Sequence, residues 1–486
     1  MASVKANVTL NVINTVVGLL FPLITFPYVS RILMPSGIGL IQFYQSIINY
    51  IVLLSSLGIP LYSIREIARV RDDVDLRNKT TIEILFLHSI FSVLGYCVVF
   101  ILIATVSKIY SDWPLFLLLS LSIFFNVIGV SWFYQAVEDF KYITVRSLIV
   151  RIIAMIALFV FVRTKEDIYT YAAILVGAEV GNYAFNFVRL RIYIRGSKII
   201  ISSLRIRRHL KPVFKIFLLN FAISIYVNLN PIMLGFMTDT TIVGYYAAVT
   251  KIIRASNGLT IALGGAILPR LSNYFAAGRI SEYTSLKKKA LDVIVMLCFP
   301  ISVGMFVVAP QLIPVFSGSD YTPAILTLQL SAPGILFSAL NYIISIQILY
   351  SQNKENLVII STIVGAFVNI LINLLLIPYL QQNGAAISGS LAELTVLVVC
   401  AIVGKKYINY SFINKNNLEV LIASSLSGLT VWFIGGLFVK VSFIFLGIQL
   451  ILGFIIYSVV LFCFKNPLYQ TYSLLLLRKI QRVGGH

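Results

Sequence analysis

The sequence predicts an all-α polytopic membrane protein of about fourteen transmembrane helices. Three observations predict it. From about residue 9 to residue 464 the chain is a near-unbroken series of apolar segments about twenty residues long, the length at which a helix crosses a hydrocarbon core of about 30 Å with every backbone polar group satisfied. Hydrophobic residues make up 59% and charged residues 12% of the chain, and the mean hydropathy of +0.94 lies outside the range of soluble globular proteins. Almost all lysines and arginines fall in alternate gaps between the segments.

The segments run, in order, over 9–32, 38–59, 81–105, 114–135, 143–163, 169–189, 212–235, 243–267, 290–314, 324–349, 356–378, 385–404, 418–438 and 442–464. With both termini cytoplasmic, the inside gaps hold Arg65 to Lys79, Lys141 and Arg146, the basic run from Arg189 to Lys211, Arg270 to Lys289, Lys354, Lys405 to Lys415 and the tail from Lys465. The outside gaps hold only Arg31, Lys108, Arg163, Lys165 and Lys440. The inverted topology would break the positive-inside rule in nearly every loop. The chain is therefore expected to cross a membrane many times, with both termini in the cytoplasm. The net charge of +20 marks the cytoplasmic face rather than a nucleic-acid partner.

Cys97, Cys298, Cys400 and Cys463 each stand alone in an apolar segment, without the paired spacing of a metal site, so no metal or cofactor is expected. The first segment is long, holds Asn11 and Asn14 and lacks a small-residue cleavage site, so it reads as a retained helix rather than a leader. No phosphate-binding GxxxxGK[ST] sequence is present, which argues against ATP hydrolysis by this chain.

A tandem duplication is one reading of the chain, with chance similarity among apolar helices as the other. Ala178-Glu179 in the sixth segment recurs as Ala392-Glu393 in the twelfth, and Tyr134-Gln135 after the fourth recurs as Tyr350 and Gln352 after the tenth, at nearly the same interval. The expected domains are a lobe of six helices over 1–190, a basic amphipathic cytoplasmic linker over 191–211, a second six-helix lobe over 212–407, two further helices over 408–464 and a basic tail over 465–486.

Charge inside a membrane is costly, so each instance is a candidate functional residue. Lys251 and Arg254 lie one turn apart in the eighth segment, on a face shared with Gly244, Ala247, Ala248, Ala255 and Gly258, where small residues would leave room for an anion beside two long cations. The competing reading is a structural pair neutralised by Glu179 or Glu393. Those two acids, one per lobe, are candidate coupling or structural carboxylates. Asn11 and Asn14 in the first segment and Asn220 and Asn228 in the seventh form matching polar stripes, suited to lining a cavity or to hydrogen bonding between helices. His88 reads as a packed residue.

Several local motifs resemble a known family. Ser30-Arg31-Ile32-Leu33-Met34-Pro35 followed by Gly37 and Gly39, Arg65-Glu66-Ile67-Ala68, Trp132-Phe133-Tyr134-Gln135 with Phe140-Lys141, Leu268-Pro269-Arg270-Leu271-Ser272, and Asn369 and Asn373 before Pro378, Gly384-Ala385-Ala386 and Glu393 are similar to Wzx-type O-antigen and capsule oligosaccharide flippases. These belong to the polysaccharide-transport branch of the MOP exporter superfamily. The resemblance implies a V-shaped, MATE-like pair of six-helix lobes with two extra C-terminal helices and alternating access of a central cationic cavity. The implied substrate is an oligosaccharide repeat unit on undecaprenyl diphosphate, moved from the cytoplasmic to the outer leaflet. The family's cavity cations map to Arg31, Lys251 and Arg254, and its polar lining extends to Asn369 and Asn373. A related lipid II flippase branch binds sodium through acids and asparagines of helices 7 and 11; here helix 11 offers Asn369 and Asn373 without an aspartate, leaving H+ or Na+ as the coupling ion. Membrane lipids, a polysaccharide polymerase and chain-length proteins are the implied partners.

Two other functions compete. A cation-coupled exporter of drugs or small molecules in the same superfamily would favour an acidic cavity, against Lys251, Arg254 and Arg31. A polyprenyl-linked glycan polymerase would need catalytic groups on an external loop, and Asp112, Glu166, Asp167, Asp239 and Asp320 sit singly or as one pair on very short ones.

Overall fold

A computed structural model describes residues 4–194, 204–412, 414–437 and 442–471, and among them every regular element is a helix. They form two compact units, Met1–Gly244 and Tyr245–His486.

The first unit begins with α1, Val4–Ser56, which is two helices interrupted at Met34, where a φ of 60° and ψ of 171° break the helix just before Pro35. This is the gap expected between the first two spans. It continues with α2 (Ile59–Arg69), α3 (Val74–Thr105), α4 (Ser107–Ser111), α5 (Trp113–Gly129), α6 (Ser131–Ala136), α7 (Phe140–Phe161), α8 (Ile168–Ile194) and α9 (Arg207–Met237). Helix α10, Thr240–Ala276, starts here and continues into the second unit. Asp73 and Asp139 start α3 and α7 by accepting the backbone N–H groups of Leu76 and Tyr142.

The expected span 114–135 is interrupted at Val130, whose φ of 33° separates α5 from α6. Asn186 of α8 explains how the break is tolerated. Its amide donates to the Gly129 carbonyl and to Ser131 Oγ, while its own carbonyl accepts from Tyr134 OH at 2.6 Å. A side chain replaces the helical bonds that the break removes. Trp132, Phe133 and Tyr134 are buried beside it with Ile59, Tyr62 and Leu190, so this motif is core packing.

The basic stretch 191–211 was expected to part the lobes. The packing instead joins α9 to the first unit, for three local reasons. Lys108 donates its ammonium to the carbonyls of Gly235 and Thr238, capping the end of α9. The Phe43 ring lies over Gly235 so closely that a Cβ there would overlap it. Tyr62 of α2 bonds His209 at 2.6 Å. Residues 195–203 of the linker and 472–486 of the tail lie outside the described residues.

The second unit holds the rest of α10, α11 (Ile280–Ser317), α12 (Ala324–Tyr342) extended by a π turn over Ile343–Leu349, α13 (Glu355–Val403), α14 (Lys405–Ile408), α15 (Lys415–Leu437) and α16 (Phe443–Cys463). Helix α13 is again two spans, broken at Gln381 with φ 49° after Pro378. Its core runs from Leu291 and Ile294 through Ile343 and Ile348 to Cys400, Ala423 and Leu461.

Among the described residues nine helices are long and apolar enough to cross a membrane, and two of these contain the breaks at Met34 and Gln381. Helix α16 exposes Phe443, Ile444, Ile451 and Phe454 by 63–77% while burying Gln449. An apolar exterior around a partly polar interior is stable in lipid and not in water. The protein is a multi-pass membrane protein.

Candidate functional site: charged and polar side chains within the helices

In the second unit, Lys251 and Arg254 stand one turn apart on α10. Lys251 is half-buried and Arg254 exposed. Neither makes a hydrogen bond or ion pair among the described residues. Two neighbouring cations without a carboxylate partner repel each other, a repulsion that an anion beside them would relieve. The small residues expected to shape the groove behave differently. Ala247 and Ala248 are fully buried, and Gly244 is pressed against the Pro35 backbone so that a Cβ would overlap its carbonyl. These three are close-packing positions and Gly258 is buried as well, which leaves the half-buried Ala255 beside the two cations on that face.

Glu393 accepts from the Asn341 amide at 2.7 Å, and its carbonyl accepts from the same amide at 2.9 Å. Asn369 and Asn373, expected to line a cavity, have no exposure at all. Asn369 donates to Ser388 Oγ at 2.8 Å and accepts from Asn373 at 3.2 Å. They tie the two halves of α13 together, because a buried amide in a membrane protein must find partners in a neighbouring helix.

In the first unit, Glu179 of α8 faces a cavity of about 170 Å3 together with Gln45, Asn49, Ser122, Asn126 and Tyr183. Asn126 donates to Tyr183 OH at 3.5 Å and accepts from Ser56 at 3.1 Å. Among the described residues the Glu179 carboxylate makes no hydrogen bond or ion pair. Asn126 on the fourth span and Glu179 on the sixth stand as Asn341 on the tenth and Glu393 on the twelfth, at intervals of 215 and 214 residues. Each unit thus holds an asparagine near a carboxylate, joined by a hydrogen bond in the second unit and lining a cavity in the first.

Arg31 is exposed near the end of the first half of α1 and donates to the Pro27 carbonyl of its own helix. Asn14 accepts from Arg151 at its carbonyl (3.0 Å) and its amide oxygen (3.3 Å), and Gly18 leaves room for that guanidinium. Asn228 is half-buried on α9, and the side chains of Asn11 and Asn220 lie outside the described residues.

Three features escaped the sequence reading. Arg151 sits inside an apolar segment, which was itself a signal. Arg146, assigned to a loop, is 9% exposed on α7 and donates to Asn182 at 3.2 Å. The third is a network at the start of α9. Glu83, fully buried, accepts from the Arg205 backbone (2.7 Å), from Arg208 (2.6 Å) and from His209 Nε2 (2.9 Å), and Tyr62 OH lies 2.6 Å from His209 Nδ1. No local pattern announces it, since its members are more than a hundred residues apart. Among the described residues no group of three or more His, Cys, Asp or Glu could hold a metal ion.

Among the described residues, nine helices long and apolar enough to cross a membrane and two compact units define a multi-pass membrane protein. The chain belongs to the polysaccharide biosynthesis protein family, whose model matches residues 4–275. It is 26% identical over 377 residues to an Escherichia coli (strain K12) protein named "Putative O-antigen transporter", covering 76% of this chain and 89% of that one. Its fold is similar to that of a lipid II flippase MurJ in an inward closed conformation (TM-score 0.76, 16% identity, 96% of this chain and 99% of the other). It is also similar to an inward-facing multidrug resistance MATE family transporter of the MOP superfamily (TM-score 0.64, 15% identity, 80% and 94%). The resemblance read from the motifs is borne out, as is the all-helical MOP-type fold.

Proposed function

We propose that the protein is a flippase that carries an oligosaccharide repeat unit on undecaprenyl diphosphate from the cytoplasmic to the outer leaflet of the inner membrane, for surface polysaccharide assembly. The observation that carries this reading is the pair Lys251 and Arg254, two cations within a span that no carboxylate among the described residues neutralises. A diphosphate is the complementary charge. In a low-dielectric site it is held strongly by two or three cations, while the prenyl chain stays in lipid. Family membership and the O-antigen transporter similarity support the lipid-linked glycan, and Arg31 is the third proposed cation of an alternating-access cavity.

Movement of the ionic headgroup would be coupled to H+ or Na+. Glu179 is the better placed carboxylate, because it faces a polar cavity while Glu393 is already bonded to Asn341. The test is transport of a labelled undecaprenyl-diphosphate oligosaccharide into proteoliposomes. Lys251→Ala/Arg254→Ala should lose at least tenfold in flipping rate with unchanged folding. Full activity in that double variant overturns the assignment of the cations, and a well-folded wild type that moves small cationic drugs instead overturns the substrate class.

A further inference from the structure

The first unit holds a further cluster of cations, on α7 and α8. Between α7 and α8 in the first unit runs a groove of about 440 Å3. Its walls are apolar, and Val145, Ile149 and Phe185 are 46–58% exposed, as lipid-facing residues are. Its head is charged: Lys141, Arg146 and Arg189 line it against a single acid, Asp139. Asp139 is already engaged by Arg189 at 2.7 Å, and that guanidinium lies 3.9 Å from the centre of the Tyr142 ring. Arg146 is left. Its Nε donates to Asn182, but among the described residues Nη1 is buried without a hydrogen-bond partner, and the buried Tyr142 hydroxyl also lacks one. A guanidinium nine-tenths buried with an unused donor is expensive unless an anion completes it.

The place fits the need. Arg146 lies in the second turn of α7, which begins at Phe140, so it stands where headgroup gives way to hydrocarbon at the end of the span that the basic loops assign to the cytoplasm. We propose that this groove binds an anionic phospholipid of the surrounding bilayer, its phosphate held by Arg146 with Tyr142 and Lys141, and one acyl chain lying along Ile149 and Phe185. The surplus of cations favours an anionic over a zwitterionic headgroup, and the open apolar wall is continuous with the lipid-facing surface of α7, where such a lipid is always at hand.

The experiment uses the full-length protein in detergent, titrated with phosphatidylglycerol or with phosphatidylcholine of the same chains and read by native mass spectrometry. Wild type should retain one phosphatidylglycerol about tenfold more tightly than Arg146→Gln and than Ile149→Trp, which fills the groove without changing charge. Phosphatidylcholine should not be retained at this site. Tyr142→Phe, which removes one hydroxyl, should weaken retention by a smaller factor, and it keeps the test decisive if Arg146→Gln does not fold. Equal retention by wild type, Ile149→Trp and Tyr142→Phe overturns the proposal, as does equal retention of the two lipids. Displacement of the bound phosphatidylglycerol by equimolar undecaprenyl phosphate also overturns it, and would assign the groove to a polyprenyl lipid.

Discussion

Glu83 is the residue on which the start of α9 depends. Three donors converge on one fully buried carboxylate, so Glu83→Ala strands the buried His209 and should cost about 3 kcal/mol, read as a lowered melting temperature in detergent. Its partner gives the network a pH dependence. His209 precedes the spanning part of α9, and burial pushes its pKa below the usual 6.5, with Arg208 adding to the shift and the Glu83 hydrogen bond opposing it. The native state therefore holds the imidazole neutral while the unfolded chain takes up a proton below about pH 6.5, so this contribution is full above that pH and declines as pH falls. Wild type should melt at a lower temperature at pH 5.5 than at pH 7.5, and His209→Gln should flatten the slope. An equally steep slope in the variant would remove His209 from the account.

At the scale of the helix, ends and close approaches decide the packing. The last carbonyls of α9 are capped by Lys108 from the short helix α4 of the same unit, and Lys108→Met should cost about 1 kcal/mol of local stability. Hydrogen exchange of the last-turn amides, such as Thr238 N–H bonded to Leu234 O, should then speed up about fivefold, and an unchanged rate would show that the cap is idle. Gly39 and Gly244 let the start of α10 touch the turn after Met34, backbone to backbone, since a Cβ on either would overlap a carbonyl oxygen. The sequence showed these glycines as part of a motif and of a small-residue face. It did not show what pressed against them.

For the whole molecule, the orientation predicted by the basic loops can be tested directly. In a background lacking the four native cysteines, Lys288→Cys should react with an impermeant thiol reagent only from the cytoplasm and Glu166→Cys only from outside. Both positions are exposed, Glu166 in the connection before α8 and Lys288 in the first turns of α11, so failure to label would not be a matter of burial. The reverse pattern would invert the topology and with it the direction of transport.

Segment length and hydropathy were enough to locate most of the spans, the breaks near Met34 and Gln381, and the two cations of α10, because the cost of exposing a backbone amide or a charge to hydrocarbon is written residue by residue. The motifs carried the family. Pairing was decided only in three dimensions: Asn14 with Arg151, Asn369 with Ser388, Asn186 with the broken turn at Gly129, and Glu83 with His209. A polar side chain in a membrane needs a partner, and which one it takes depends on helix rotation and depth, quantities that no local pattern in the chain encodes.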